Sequence, residues 1–169
     1  MHAETIAYIG LGSNLDNPAA QLQRALAELT VLPDTRVLKH SRLYQSKPLG
    51  PQDQPDYLNA AAALQTRFEA LALMRHLQEI EQQHGRRRST ENRWGPRTLD
   101  LDLLVYGDLS LQTPELTLPH PELHMRSFVL YPLAELVPEL VIPGHGTVRQ
   151  LRERCTTPAI ALFEEAARA

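Results

Sequence analysis

A chain of 169 residues with 43% hydrophobic content is long enough to bury a core without disulfides or metals. Its net charge of −3 gives no whole-molecule field towards nucleic acid or membranes, and its one cysteine, Cys155, rules out an intramolecular disulfide. The opening Met1-His2-Ala3-Glu4-Thr5 lacks a basic region followed by an apolar run, and no apolar run approaches the ~18–20 residues of a membrane span. A cytoplasmic protein is expected.

Thr5 to Leu11 is β-rich and reads as a mostly buried strand, turned by Gly12-Ser13-Asn14. Asn17 is a good N-cap and Pro18 suits the first helical position. Leu22, Ala25, Leu26 and Leu29 follow at helical spacing, so residues 18–30 read as an amphipathic helix that Pro33-Asp34 ends. Residues 36–46 alternate loosely and read as a strand. Lys47 to Asp56 holds three prolines and a glycine and reads as a loop. Tyr57 to Thr66 reads as a strand with small residues, Ala60 to Ala63, at its centre. Phe68 to His84 is a helix with Leu71, Met74, Leu77 and Ile80 on one face, stopped by Gly85. A second loop spans Gly85 to Arg97, and Leu99 to Tyr106 is a strand. Gly107-Asp108 signals a turn, Leu109 to Leu118 a small hairpin. Short helical pieces follow around Pro121–His124, Tyr131–Val137 and Val148–Cys155. The order strand, helix, strand, strand, helix, strand predicts an α+β, ferredoxin-like βαββαβ core in one domain over residues 1–169.

The chemistry concentrates around Asp100 and Asp102. On a strand, i and i+2 point the same way, so both carboxylates share one face, with Leu99, Leu101, Leu103 and Val105 on the other. Two like charges so close repel, and a hard cation relieves the repulsion. Magnesium takes oxygen ligands, keeps several waters and uses one or two carboxylates plus substrate phosphates. The spacing alone is equally compatible with two solvent-facing acids on an edge strand. Just upstream lie Arg86, Arg87, Arg88, Arg93 and Arg97. Arginine forks match phosphate oxygens, so this pairing points to a clamped polyphosphate and to phosphoryl transfer. A basic loop can also be merely solvated, but the prolines, glycines and only tryptophan around it, Trp94, argue for more.

Arg93-Trp94-Gly95-Pro96-Arg97-Thr98-Leu99-Asp100-Leu101-Asp102-Leu103-Leu104 resembles the signature of the 6-hydroxymethyl-7,8-dihydropterin pyrophosphokinases. Separate segments match in the same order: Tyr8 to Asn14, Pro48 to Ala61, Leu118-Pro119-His120 and Arg126 to Leu133. The resemblance spans roughly residues 5–150. It implies transfer of the β,γ-pyrophosphoryl group of ATP to the hydroxymethyl group of the pterin, with release of AMP.

Carried over by position, the resemblance implies that Asp100 and Asp102 hold two Mg2+ ions on the triphosphate. Arg86 and Arg97 would stabilise transition-state charge. Arg88, Arg93 and Trp94 would belong to a mobile catalytic loop on the ATP. His120 and Arg126 would contact ATP phosphates, with Leu103 and Thr117 near the nucleoside and Glu81 on the nucleotide side. Tyr57 and Phe128 would sandwich the pterin while Asn59 reads its edge, with backbone groups of Ser46, Pro48 and Leu49. Pro121 departs from the family pattern, standing where an aromatic is common.

Other functions fit less well. A ferredoxin-like nucleic-acid-binding module using loop 86–97 is the main alternative, but the paired aromatic motif of the common RNA-recognition sheet is missing. His120 and His124 are i and i+4, yet no His-Glu-x-x-His accompanies them, which disfavours a zinc hydrolase. Expected partners are therefore the two small substrates, with neither nucleic acid nor membrane, and the expected state is a monomer.

Overall fold

The computed structural model describes residues 3–50, 52–85 and 98–163. Strand β1 (Thr5–Ser13) and helix α1 (Pro18–Thr30) come first. The Asn17 side chain caps α1 by accepting from the Ala20 amide, and Pro18 loses no hydrogen bond there. Ala19, Leu22, Ala25 and Leu29 form its buried stripe. Strands β2 (Thr35–His40), β3 (Tyr44–Ser46) and β4 (Tyr57–Thr66) follow, then helix α2 (Ala70–Gln83) and strand β5 (Asp100–Tyr106).

β5 lies against β1, β1 against β4, and β4 carries both β2 and β3 on its other edge, all antiparallel. This is the expected split arrangement. Beyond it come the hairpins β6–β7 (Leu111–Gln112, Thr117–Leu118) and β8–β9 (Val141–Ile142, Gly146–Thr147), and helices α3 (Ser127–Leu136) and α4 (Val148–Arg154). A short strand β10 (Ile160–Leu162) closes the far edge of the sheet by pairing with β3.

The strand period assigns residues to the two faces. Ala7, Ile9, Leu11, Leu58, Ala60, Ala62, Leu64, Leu101 and Leu103 meet α1 and α2 in one cluster. Leu104 and Val105 join α3 and α4 in a second cluster with Leu123, Leu130, Leu133, Val148 and Leu151. Each leucine, isoleucine or valine among them withdrawn from water contributes about 1.5–3 kcal/mol. The alanines of β4 leave room for helices to approach both faces of the central strand.

Several expectations need correcting. The strand predicted over 36–46 is broken at 41–43. Ser41 stitches the break: its amide donates to the Ala61 carbonyl at 2.8 Å and its hydroxyl accepts from the Ala61 amide at 2.9 Å. β1 runs through Gly12 to Ser13 before turning. Val105 does not share a face with Leu101, because a register shift at Tyr8/Ile9 turns it to the second cluster. The piece expected at Pro121–His124 is one 3-10 turn, Leu123–Met125. The helix expected from Tyr131 begins at Ser127 and carries Pro132 inside it.

Among the described residues no helix is long and apolar enough to cross a membrane. The loop expected at 85–97, with Arg86, Arg88, Arg93, Trp94 and Arg97, lies outside the described residues beyond Gly85.

Candidate active site

Alternation along three neighbouring strands builds a cleft of about 280 Å³ on the α3 side of the sheet. Gly12 of β1 pairs with Asn59 on one side and Asp100 on the other, and Gly10 pairs with Ala61 and Asp102. Strand partners face the same way, so the two glycines lie between the carboxylates and the pair Tyr57 and Asn59. Having no side chains, they form the bare floor of the cleft. Asp100, Asp102, His120, Glu122 and Arg126 line one part of it; Ser46, Lys47, Leu49, Gly50, Tyr57, Asn59, Phe128 and Val129 line the rest.

Asn59 is buried, and its orientation is set by its donors. Nδ2 donates to the Ser46 hydroxyl at 2.8 Å and to the Tyr44 carbonyl at 3.4 Å. That turns Oδ1, an acceptor, towards the floor, where a Cβ on Gly12 would lie 3.5 Å from it. Tyr57 sits two residues away on the same strand face, an aromatic surface beside a hydrogen-bonding edge. The loop from 47 to 56 is tied down at both ends. Asn14 donates to Gln54 Oε1 and the Pro55 carbonyl, both at 3.0 Å, and Asp56 accepts from Gln45 at 3.2 Å and pairs with Lys47 at 3.4 Å.

On the opposite wall, the His120 amide donates to the Leu104 carbonyl at 2.8 Å, which seats the residue beside β5. Its Nδ1 accepts from the Glu122 amide at 3.2 Å. An amide only donates, so Nδ1 carries no proton and the neutral ring keeps its hydrogen on Nε2. Burial, and then the Arg126 charge, hold the His120 pKa below the usual histidine value, although Glu122 and Asp100 pull the other way. His120 is thus a neutral Nε2–H donor at neutral pH. The Arg126 guanidinium lies 2.7 Å from Glu122 and 5.7 Å from the Phe128 ring centroid.

Of the residues singled out from sequence, Ser46, Leu49, Tyr57, Asn59, Asp100, Asp102, His120, Arg126 and Phe128 share this cleft. Four others do not line it. Pro48 lies between two lining residues. Leu103 is buried in the α1–α2 cluster on the other face of β5, and Thr117 belongs to β7. Glu81, 1% exposed, turns inward from α2, where Oε2 accepts from the Leu101 amide at 2.7 Å. Sequence reasoning did not single out Gly10, Gly12, Lys47 or Glu122 as lining residues. The glycines had a signal: they alternate with Ile9 and Leu11 in a strand.

The donor set suits magnesium. It offers oxygen ligands from two carboxylates. Among the described residues no group of three or more His, Cys, Asp or Glu could hold a metal. An ion that draws its remaining ligands from water and phosphate is the kind that such a pair accommodates.

Fold and cleft define a ferredoxin-like α+β protein in which carboxylates, a histidine and an arginine share one cleft with aromatic side chains. The 7,8-dihydro-6-hydroxymethylpterin-pyrophosphokinase family model matches residues 8–138, and the chain belongs to that family. A 2-amino-4-hydroxy-6-hydroxymethyldihydropteridine pyrophosphokinase of Haemophilus influenzae is 48% identical over 145 residues, covering 86% of this chain and 89% of the relative. The protein of the same name from Pseudomonas aeruginosa is 48% identical over 148 residues, covering 88% and 90%. Plasmodium falciparum HPPK-DHPS, solved with pterin and p-hydroxybenzoate, superposes with a TM-score of 0.71 at 14% identity. That match covers 90% of this chain but only 42% of the longer one, and it bears on the fold alone.

Proposed function

We propose that this chain transfers the β,γ-diphosphoryl group of ATP to the hydroxymethyl group of 6-hydroxymethyl-7,8-dihydropterin, giving the pterin diphosphate and AMP in folate biosynthesis. The observation that carries the reading is the shared cleft: carboxylates, His120 and Arg126 on one wall and Tyr57, Asn59 and Phe128 on the other, joined by a glycine floor. The family and the names of its relatives support the same reaction and give no support to a nucleic-acid-binding module.

In this reading the pterin lies between Tyr57 and Phe128. Asn59 Oδ1 accepts from the donor-bearing edge of the heterocycle, and Leu49 and the backbone near Ser46 and Pro48 close the slot. The triphosphate lies along Asp100, Asp102, His120 and Arg126. The substrate hydroxyl oxygen bonds to the β-phosphorus, the bond from the β-phosphorus to the α–β bridging oxygen breaks, and AMP leaves carrying the bridging oxygen. Two Mg2+ ions held by Asp100 and Asp102 would neutralise charge on the triphosphate and lower the pKa of the attacking hydroxyl. Asp102 accepts the hydroxyl proton at a carboxylate oxygen. His120 Nε2–H and Arg126 donate to phosphate oxygens that gain charge as the bond breaks. Only the resemblance assigns Leu103 and Thr117 to the nucleoside and Glu81 to the nucleotide side; none of the three lines the cleft, and Leu103 and Glu81 are buried. Arg86, Arg88, Arg93, Trp94 and Arg97 complete the nucleotide clamp in this reading, on the strength of the sequence motif.

One domain over residues 1–169, acting as a cytoplasmic monomer, belongs to the same reading, and a single cysteine suits a reducing compartment. Product analysis with ATP, magnesium and the hydroxymethyl-dihydropterin tests it. AMP plus pterin diphosphate is the expected result; ADP or free phosphate refutes it.

A further inference from the structure

Among the described residues that line the cleft, Glu122 is the one acid to which neither the reaction nor the metal gives a task. A carboxylate beside a polyphosphate site repels the ligand, so its presence there needs a physical reason. Its Oε1 lies 2.7 Å from Arg126 Nη2, with side chains 33% and 14% exposed. The pair does not belong to a helical ladder. Glu122 precedes the 3-10 turn, and Arg126 is extended at φ −120, ψ 112 just before α3. The 3-10 turn between them brings both side chains to the cleft. The Glu122 amide also fixes His120 Nδ1, so both anion-facing side chains of this wall are attached to one residue. An arginine so withdrawn from water needs a counter-charge whenever no phosphate is present.

We propose that Glu122 is an anion placeholder: it holds Arg126 in the empty cleft, and nucleotide binding transfers the guanidinium from the Glu122 carboxylate to phosphate oxygens. The inference rests on the reading of the cleft as an ATP site and makes Glu122 a positioning residue. Its carboxylate presets the arginine, and nucleotide affinity is lowered by the strength of the ion pair that must be exchanged.

The test is a double-mutant cycle on the full chain. Calorimetry measures binding of α,β-methylene-ATP, whose methylene replaces the bridging oxygen at the bond to be broken, in excess magnesium. Wild type, E122Q, R126A and E122Q/R126A are compared. E122Q should bind about three- to tenfold more tightly, the range of a partly screened ion pair. R126A should bind more weakly, and in its background E122Q should bring no gain. Thermal melting without nucleotide should show E122Q folded, at a slightly lower Tm, because the free state alone loses the pair. Equal or weaker binding by E122Q overturns the proposal. A gain of the same size in the R126A background also overturns it, since only long-range repulsion would then be relieved. Wild-type chain that fails to bind the analogue overturns the ATP reading and this proposal together, whereas a failed cycle with normal wild-type binding removes the placeholder alone.

Discussion

Replacing Gly12 by alanine should separate folding from binding. The added Cβ would lie 3.5 Å from Asn59 Oδ1, 3.8 Å from Tyr57 Cδ1 and 3.9 Å from the Leu58 carbonyl, all ordinary contacts, and the backbone there needs no positive φ. The fold therefore accepts the methyl. Losing a glycine from the unfolded ensemble should make the variant roughly 0.4–1 kcal/mol more stable. The methyl nevertheless stands on the cleft floor against the atom that is proposed to accept from the pterin. Lifting the heterocycle leaves that hydrogen bond unmade, a loss of about 1–3 kcal/mol, or roughly 5- to 150-fold in affinity. Gly10→Ala is the control. Its Cβ would rest 3.5 to 3.7 Å from the Leu104 side chain, so pterin affinity should change by less than about twofold. Denaturant titration gives the stabilities and calorimetry with the dihydropterin gives the affinities. Unchanged pterin affinity in Gly12→Ala, or a marked loss of stability, would refute the reasoning.

Asp102→Asn should lower turnover by about 10²- to 10⁴-fold at saturating magnesium, and steady-state kinetics showing unchanged turnover would remove Asp102 as proton acceptor. The depressed His120 pKa carries a sign: its contribution to stability is fully present above about pH 6.5 and is lost as pH falls through the lower folded value. Stability measured by denaturant from pH 7.5 to 5 should therefore fall less steeply in His120→Asn than in wild type, and parallel curves would contradict the assignment. Ser41→Ala should cost about 1–3 kcal/mol by leaving the buried Ala61 amide without its acceptor, with faster hydrogen exchange at that amide as the check.

Much of the sheet was legible because period-two and period-3.6 patterns are physical consequences of strand and helix geometry. Leu22, Ala25 and Leu29 mark α1 as plainly in the chain as in the structure. The break at 41–43 was not legible. Its missing ladder bonds are supplied by a serine side chain, and a serine within an alternating run fits an unbroken strand equally well. The start of α3 was hidden by Pro132, which suits the first turn of a helix and so points to a start at Tyr131, whereas the helix begins at Ser127 and carries the proline inside. β10 was illegible because a three-residue strand takes its stability from the edge it joins. In the cleft, Asp100, Asp102, Tyr57 and Asn59 announced themselves by i, i+2 spacing. Glu122 did not, because its place in the cleft depends on the 3-10 turn that follows it. The family signature pointed to an activity that no spacing rule contains.

The stitched break between β2 and β3 has a mechanical reading. The strands on both sides of the joint pair with β4, which also carries Tyr57 and Asn59. The two Ser41–Ala61 hydrogen bonds carry the ladder across the joint. Tyr44 to Ser46 pair with β4 on one side and β10 on the other, so β3 sits like the middle ply of a laminate beside the proposed pterin wall.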